Sequence, residues 1–399
     1  RDAQESRGLG DVYKRQIANG VPHNNWDLLQ ARFIMNVGLV LEDNKAYADG
    51  KGREYYIDYV MNRSSIRQWS LTRLAEYGFD SKTGIWAECP GYSSVVINDY
   101  ANFVNQFDNN LRYDLVKAMP VLSKAVATTP QYLFPNRMIC GFGDTHPGYL
   151  NTNFFVRMIQ NAQANGKKEQ EDYFTALLKC LNPGAGNEKA EKKNVRVSVN
   201  SFFEDKPLTL NPEVQAGKIE EYVSPLFHAP NVSWLVQRNG MDPRSSLMIS
   251  QNGSEGNHMH ANGISMELYG KGYVLGPDAG IGLFLYSGLD YAEYYSQFPS
   301  HNTVCVDGIS SYPVMKSNHS FELLSCFPAS AEPGGEFTSV TYSNLYFREP
   351  ESRADQTRMM GIVTTAPETG YDVDVFRSRK EKGGDKICLL YTSPSPRDS

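Results

Sequence analysis

The sequence predicts an α+β chain in two parts, helical first and antiparallel β second. Three observations carry that reading. From Asn24 to about Cys180 the apolar residues recur at three- and four-residue steps. Around "NPGAGNEKAEKKN" (Asn182 to Asn194) the composition turns polar and charged. Beyond it come short alternating runs with no long helical pattern between them, which suits antiparallel strands joined by turns better than β-α units.

The helical part opens with "NNWDLLQARFIMNVGLVLED", where Trp26, Leu29, Phe33, Val37 and Val40 make an apolar stripe behind a capping asparagine. Comparable patterns follow in "REYYIDYVM", "SIRQWSLTRLAEYGF", "VVINDYANFVNQF", "YDLVKAMPVLSKAVA", "NTNFFVRMIQNAQA" and "EQEDYFTALLKCL". Short turn-rich links such as "DSKTG" imply stacked antiparallel helical hairpins. The expected strands are "VRVSVNSFF", "VSWLVQR", "SLMIS", "GISMELYG", "NTVCVDG", "SVTYSNLYFR", "RMMGIVTT" and "YDVDVFRS".

Both ends look foreign. "RGLGDVYKRQ" (Arg7 to Gln16) and "CLLYTSPSPRDS" (Cys388 to Ser399) resemble translated sequencing-adapter tails, so 1–16 and 388–399 are expected to be non-native. That leaves 17–190 as the helical part and 191–387 as the β part, with any signal peptide outside the sequence.

With 399 residues the chain has ample length for a large core. A formal charge of -6 argues against general nucleic-acid binding, which needs a basic surface to displace counterions from phosphate. Six cysteines without regular spacing read as ordinary thiols, neither a disulfide framework nor a zinc knuckle. No apolar run is long enough for a membrane span. Aromatic residues, 24 tyrosines among them, supply side chains able to stack on sugars.

Only seven histidines occur, and two of them stand one residue apart in "GNHMHANG". In an extended stretch His258 and His260 would share a face, with Met259 opposite. Downstream lie Asp278 in "YVLGPDAGIG" and His301 in "FPSHNTVCVDG". His260, Asp278 and His301 form a two-histidine, one-carboxylate set suited to Zn²⁺; read singly, each is a polar residue at a turn. "GFGDTHPG" lacks the Lys-Ser/Thr of a phosphate loop, and its His146 reads as an ordinary turn residue.

"GNHMHANGISMELYGKGYVLGPDAG" followed by "SHNTVCVDG" resembles the signature of the heparinase II/III-like polysaccharide lyases, a His-x-His-x-Asp strand, an Asp-x-Gly turn and a His-Asn-Thr-Val strand. One departure stands out, Asn262 where relatives usually carry Asp. The resemblance implies an incomplete (α/α) toroid followed by an antiparallel β-sandwich, with the active site in the cleft between them. On matching positions, His260, Asp278 and His301 would hold a structural zinc and His258 would face the substrate. "GIWAECPGY" is similar to the family's Glu-x-x-x-Tyr turn and assigns Tyr92 as acid or base. "PHNNWDL" resembles the turn that grips the uronate carboxylate, pointing to His23 and Asn25; a helix N-terminus there favours an anion. Tyr286 matches a groove tyrosine, and Arg238 could add a cation.

The implied activity is β-elimination on an anionic, uronate-containing polysaccharide, alginate first and glycosaminoglycan next, in the periplasm or outside the cell. Two other readings stay open. Two histidines and a carboxylate leave a position for water, as in zinc hydrolases, and the same fold could bind glycan without cleaving it.

Overall fold

The computed structural model describes residues 25–65, 68–185, 208–282, 290–308, 316–330, 332–381 and 387–390. The expected strand "VRVSVNSFF" falls outside them, as do His23 and Tyr286. Helices come first: α1 Asn25–Val40, α2 Arg53–Asn62, α3 Leu71–Gly78, α4 Pro90–Gln106, α5 Leu115–Ala118, α6 Val121–Thr128, α7 Asn153–Ala164 and α8 Lys168–Leu181. Their boundaries follow local chemistry. Ser70 caps α3 by accepting from the Arg73 amide, and Asp114 caps α5 through Lys117. The stretch "YDLVKAMPVLSKAVA" is two helices because Pro120 has no amide hydrogen to continue the ladder.

The stripe expected on α1 faces the wrong way. Phe33, Val37 and Val40 are exposed, whereas Leu28, Ala31, Met35 and Leu39 are buried in the helical core. Apolar residues occur around much of this helix, so their spacing fits two faces, and contact with α2 and α4 selects the second.

The β part contains β1 Leu226–Ala229, β2 Trp234–Arg238, β3 Met248–Asn252, β4 Ser254–Asn257, β5 Ser265–Gly270, β6 Tyr273–Gly276, β7 Thr303–Val306, β8 Lys316–His319, β9 Glu322–Phe327, β10 Val340–Arg348, β11 Asp355–Ala366, β12 Thr369–Arg379 and β13 Ile387–Leu390. Strands β1, β2, β3, β5 and β6 form one antiparallel sheet in that order, and β12, β11, β10 and β9 form a second. Residues Cys388–Leu390, expected to open a foreign tail, pair with β7 as part of β13. A short run with strand propensity beside an open edge has the means to pair wherever it comes from.

The first sheet is covered on both faces. Trp234, Val236, Met248 and Tyr269 point toward the helical part and pack with Tyr132, Phe134 and Phe142. The alternate residues point away: Leu235 meets Leu345 and Phe347, while Ile249 and Met266 meet Met360 and Ile362 of the second sheet. Gln237 donates to the Met360 carbonyl across that interface at 3.1 Å. The second sheet leaves its outer face to solvent, with Tyr342, Tyr371 and Val375 exposed.

Arg358 ties this sandwich to the loops beyond it. Fully buried on β11, it makes a forked pair with Asp374, with Nε to Oδ1 at 3.0 Å and Nη2 to Oδ2 at 2.6 Å. Its Nη1 donates to the carbonyls of Ile264 and Asn302 at 3.0 and 2.6 Å. Those two positions flank His260 and His301.

Candidate active site and metal centre

The site is assembled around the glycine-rich turn Gly141–Thr145 between α6 and α7. Gly143 has φ +65°, and a Cβ there would lie 2.6 Å from the His258 carbonyl oxygen, so only glycine allows this backbone approach. The Asp144 amide then donates to that same carbonyl at 2.9 Å. Thr145 Oγ1 accepts from the Gly91 amide at 3.0 Å, which holds the start of α4 and with it Tyr92. The Gly141 amide donates to Glu267 Oε1 at 2.8 Å. One turn from the helical half thus fixes groups on α4, on β5 and on the segment after β4.

His258 and His260 share a carboxylate, but not through strand alternation. Strand β4 ends at Asn257, and His258 has φ +57°, in the left-handed region. That twist still turns both rings toward Asp144: His258 Nδ1 lies 2.8 Å from Oδ2 and His260 Nε2 lies 2.9 Å from Oδ1. Tyr291 also donates its hydroxyl to Asp144 Oδ1. Met259 points into the apolar cluster beneath the sheet. Burial alone would raise the Asp144 pKa, yet hydrogen bonds from His258 and His260 and their charge hold it down to about 2.

Asn262, where the family motif has Asp, donates its side-chain Nδ2 to Ser265 Oγ and its backbone amide to Ser254 Oγ. The carboxylate for the histidine pair comes instead from Asp144, in a turn read as unremarkable from sequence. Its only sequence signal was a lone acid between glycines in "GFGD".

Tyr92, the third residue of α4, lies face to face with His258, ring centroids 3.5 Å apart and planes 8° from parallel. Glu88, also buried, is stitched to the same segment by a bridge to Asn257, and burial raises its carboxyl above the usual range despite the nearby His258.

Behind this pair stands the expected metal set. His260, Asp278 and His301 are all buried, and each offers a ligand atom within 4.8 Å of the others. His301 Nδ1 lies 2.9 Å from Asp278 Oδ2, and Asp278 Oδ1 accepts from the Gly280 amide at 2.9 Å. Burial opposes ionisation of Asp278, but His301 and His260 beside it keep its pKa below the ordinary carboxylate range. Burial, and next the charge of Asp278, push Glu267 up to about 8. Two ring nitrogens, His260 Nδ1 and His301 Nε2, are buried without a hydrogen-bond partner. Such orphans are costly in a native interior, and with a carboxylate between them they fit a zinc ion's nitrogen and oxygen preference.

The structure therefore brings together Tyr92, His258, His260, Asp278 and His301. Arg238 is placed elsewhere. It is fully buried, donating to Gln131 Oε1 and O, both at 2.9 Å, and to the Ser224 carbonyl at 3.2 Å. Its alternation on β2 points it into the interface with the helical half rather than into an open groove, so it braces that interface. Asn25 begins α1, half-buried, its Oδ1 enclosed without a partner among the described residues. Tyr291, five residues after Tyr286 and not singled out from sequence, donates its hydroxyl to Asp144. His146 is exposed on its turn, as a surface turn residue should be.

Comparison with known proteins converges on the same region. Residues 223–361 match the heparinase II/III-like C-terminal domain, and residues 82–222 match the second domain of endo-acting ulvan lyases. Residues 223–361 contain His258, His260, Asp278 and His301, while Tyr92 and Asp144 come from the ulvan-lyase-like segment before them. The family is the one that the His258–His301 motifs resemble. An endo-acting ulvan lyase of Formosa agariphila is 24% identical, aligned over 92% of this chain and 46% of its own length. Two solved structures share the fold of this chain. A heparinase III, the BT4657 gene product, superimposes with a TM-score of 0.59 at 14% identity, over 95% of this chain and 49% of that one. A heparan sulfate lyase HepC mutant from Pedobacter heparinus gives 0.56 at 13% identity, with the same coverages. The chain thus spans about half the length of these relatives.

Proposed function

We propose that this protein is a polysaccharide lyase that cleaves an anionic, uronate-bearing polymer by β-elimination. The observation that carries the reading is the Tyr92–His258 stack at 3.5 Å, set directly against the buried His260, Asp278 and His301 cluster. Ulvan replaces alginate as the first substrate to test, because the curated relative is an endo-acting ulvan lyase.

Elimination removes the proton on C5 of the uronate and expels the oxygen on C4. That proton is barely acidic while the neighbouring carboxylate carries its charge, so donors must neutralise the carboxylate first. Asn25 at the start of α1, with His23 before it, is the proposed grip, aided by the helix N-terminus. A proton acceptor and a proton donor are then needed on the reacting sugar. His258 and Tyr92 present an imidazole and a phenol side by side for those two tasks.

His260, Asp278 and His301 would hold zinc, whose charge braces the loops behind His258. The helical half is read as part of an (α/α) toroid, and the polymer substrate places the protein in the periplasm or outside the cell. No helix among the described residues is long and apolar enough to cross a membrane.

The test is incubation with ulvan, alginate, heparan sulfate and chondroitin, followed by ultraviolet absorption of the unsaturated uronate. A rise with one polymer, abolished by Tyr92→Phe, supports elimination. New reducing ends without that absorption would identify a hydrolase, and affinity with neither signal would identify a glycan-binding protein; both results overturn the proposal.

A further inference from the structure

We infer that Asp144 is a positioning residue that sets which nitrogen of His258 is free to accept the substrate proton, and that it does so as a bridge between His258 and the metal ligand set. The inference rests on the lyase reading for its consequence but not for its geometry.

Asp144 Oδ1 faces the Tyr291 hydroxyl and His260 Nε2 while Oδ2 faces His258 Nδ1, so the carboxylate stands as the shared acceptor of three donors. The hydrogen between His258 Nδ1 and Asp144 Oδ2, at 2.8 Å, therefore belongs to the imidazole. In neutral imidazole one nitrogen bears hydrogen and the other a lone pair. With Nδ1 committed to Asp144, the lone pair stands on Nε2. The same logic holds for His260: its Nε2 donates to Asp144 Oδ1 at 2.9 Å, leaving the orphaned Nδ1 with the lone pair that a metal requires. One carboxylate thus orients two rings for two different tasks. It also divides the labour in the Tyr92–His258 pair. His258 Nε2 takes the C5 proton, the C5–H electron pair becomes the new C4–C5 double bond, and the C4–O bond breaks. The Tyr92 phenol then gives its hydrogen to the departing oxygen.

Asp144 is held firmly enough for the task. Its backbone amide donates to the carbonyl of the residue it orients, at 2.9 Å, and its side chain takes a third donor from Tyr291. Gly143 permits the approach and Thr145 anchors the turn to α4, so Tyr92 and His258 are referenced to the same turn.

The experiment is ¹⁵N spectroscopy of histidine-labelled protein at about pH 8, where an ordinary imidazole is neutral, on the protein as purified with its metal content measured. The wild type should show His258, assigned by its loss in His258→Gln, with hydrogen on Nδ1 and a bare Nε2. Asp144→Asn should move that hydrogen to Nε2, since the amide can donate to Nδ1. Turnover should fall about 10²- to 10⁴-fold with KM changed less than about threefold and metal still bound, the pattern expected when an orienting carboxylate is lost but geometry survives. A wild-type spectrum with hydrogen on Nε2 overturns the inference. So does an Asp144→Asn protein with unchanged tautomer or near-normal kcat. Should that variant not fold, the wild-type spectrum decides alone. If no polymer is cleaved at all, the lyase reading fails while the tautomer measurement still stands or falls by itself.

Discussion

Tyr92 and His258 reach each other from separate halves of the chain, and each is held by backbone rather than by its own side-chain bonds alone. Replacing Tyr92 by Phe keeps the ring stack and deletes one hydroxyl. The expected outcome is a fall in kcat/KM of about 10²- to 10⁴-fold with a melting temperature within about 2 °C of wild type, read by the unsaturated-product assay and a thermal melt. Asp144 carries a second prediction. Its folded pKa, about 2, lies below the ordinary 3.8, so its stabilising contribution is present above pH 4 and is lost as pH falls toward 2. Roughly 2 kcal/mol is at stake, and urea titrations of wild type and Asp144→Asn should converge across that interval. His260, Asp278 and His301 were legible in the sequence because they lie, with His258, within one short stretch of distinctive motifs. Asp144 was not, because it stands 114 residues before His258 in a turn whose composition resembles many others. Nothing local marks a carboxylate whose partners arrive from another domain.

At the scale of elements, helix positions were readable and helix faces less so. Alternation separates the two faces of β2, β3 and β5, because period two leaves no third choice, whereas α1 carries apolar side chains on more than one flank and tertiary contact decides between them. Several short strands escaped notice; β4 "SEGN" did so because its sequence has no strand propensity and it is defined by pairing with β8. The first turn of α1 buries Asp27, whose carboxylate accepts from the Trp69 amide at 3.3 Å. Burial raises its pKa to about 7, the amide bond opposing. The native state therefore holds the proton more tightly than the unfolded chain, and stability is lost as pH climbs from about 4 through 7. Asp27→Asn should raise stability at pH 8 by up to roughly 4 kcal/mol and change little near pH 4, as thermal melts at the two values would show. The turn element allows a sharper test. Gly143→Ala would drive a methyl group to 2.6 Å from the His258 carbonyl and from Cys89 Cβ at a left-handed φ. Activity should fall at least tenfold with a stability loss of roughly 1–3 kcal/mol, measured by turnover and denaturant titration.

For the whole molecule, the sheet facing the helices is the shared wall between the two halves, and Arg358 ties the sandwich to the loops that carry His260 and His301. Its guanidinium meets the carbonyls of Ile264, four residues after His260, and of Asn302, next to His301. Truncating it to Met leaves Asp374 without its forked partner and should cost about 3–5 kcal/mol. The variant should also release metal to a competing chelator more readily than wild type, a property that elemental analysis after dialysis would register. The two-part order of the chain was visible from periodicity alone, since helices and strands do not alternate. The packing of the parts was not, because it depends on buried groups such as Arg238, Gln131 and Arg358 whose partners are distant in sequence.

A carboxylate shared by two imidazoles and a phenol makes those three positions epistatic. Exchanging His258 alone leaves Asp144 with an unspent lone pair that unsettles His260, and exchanging His260 alone does the reverse, so the double replacement should cost less than the sum of its parts. Any lineage or library that explores new chemistry here has to move these side chains together, which confines single-step variation to positions that do not touch Asp144.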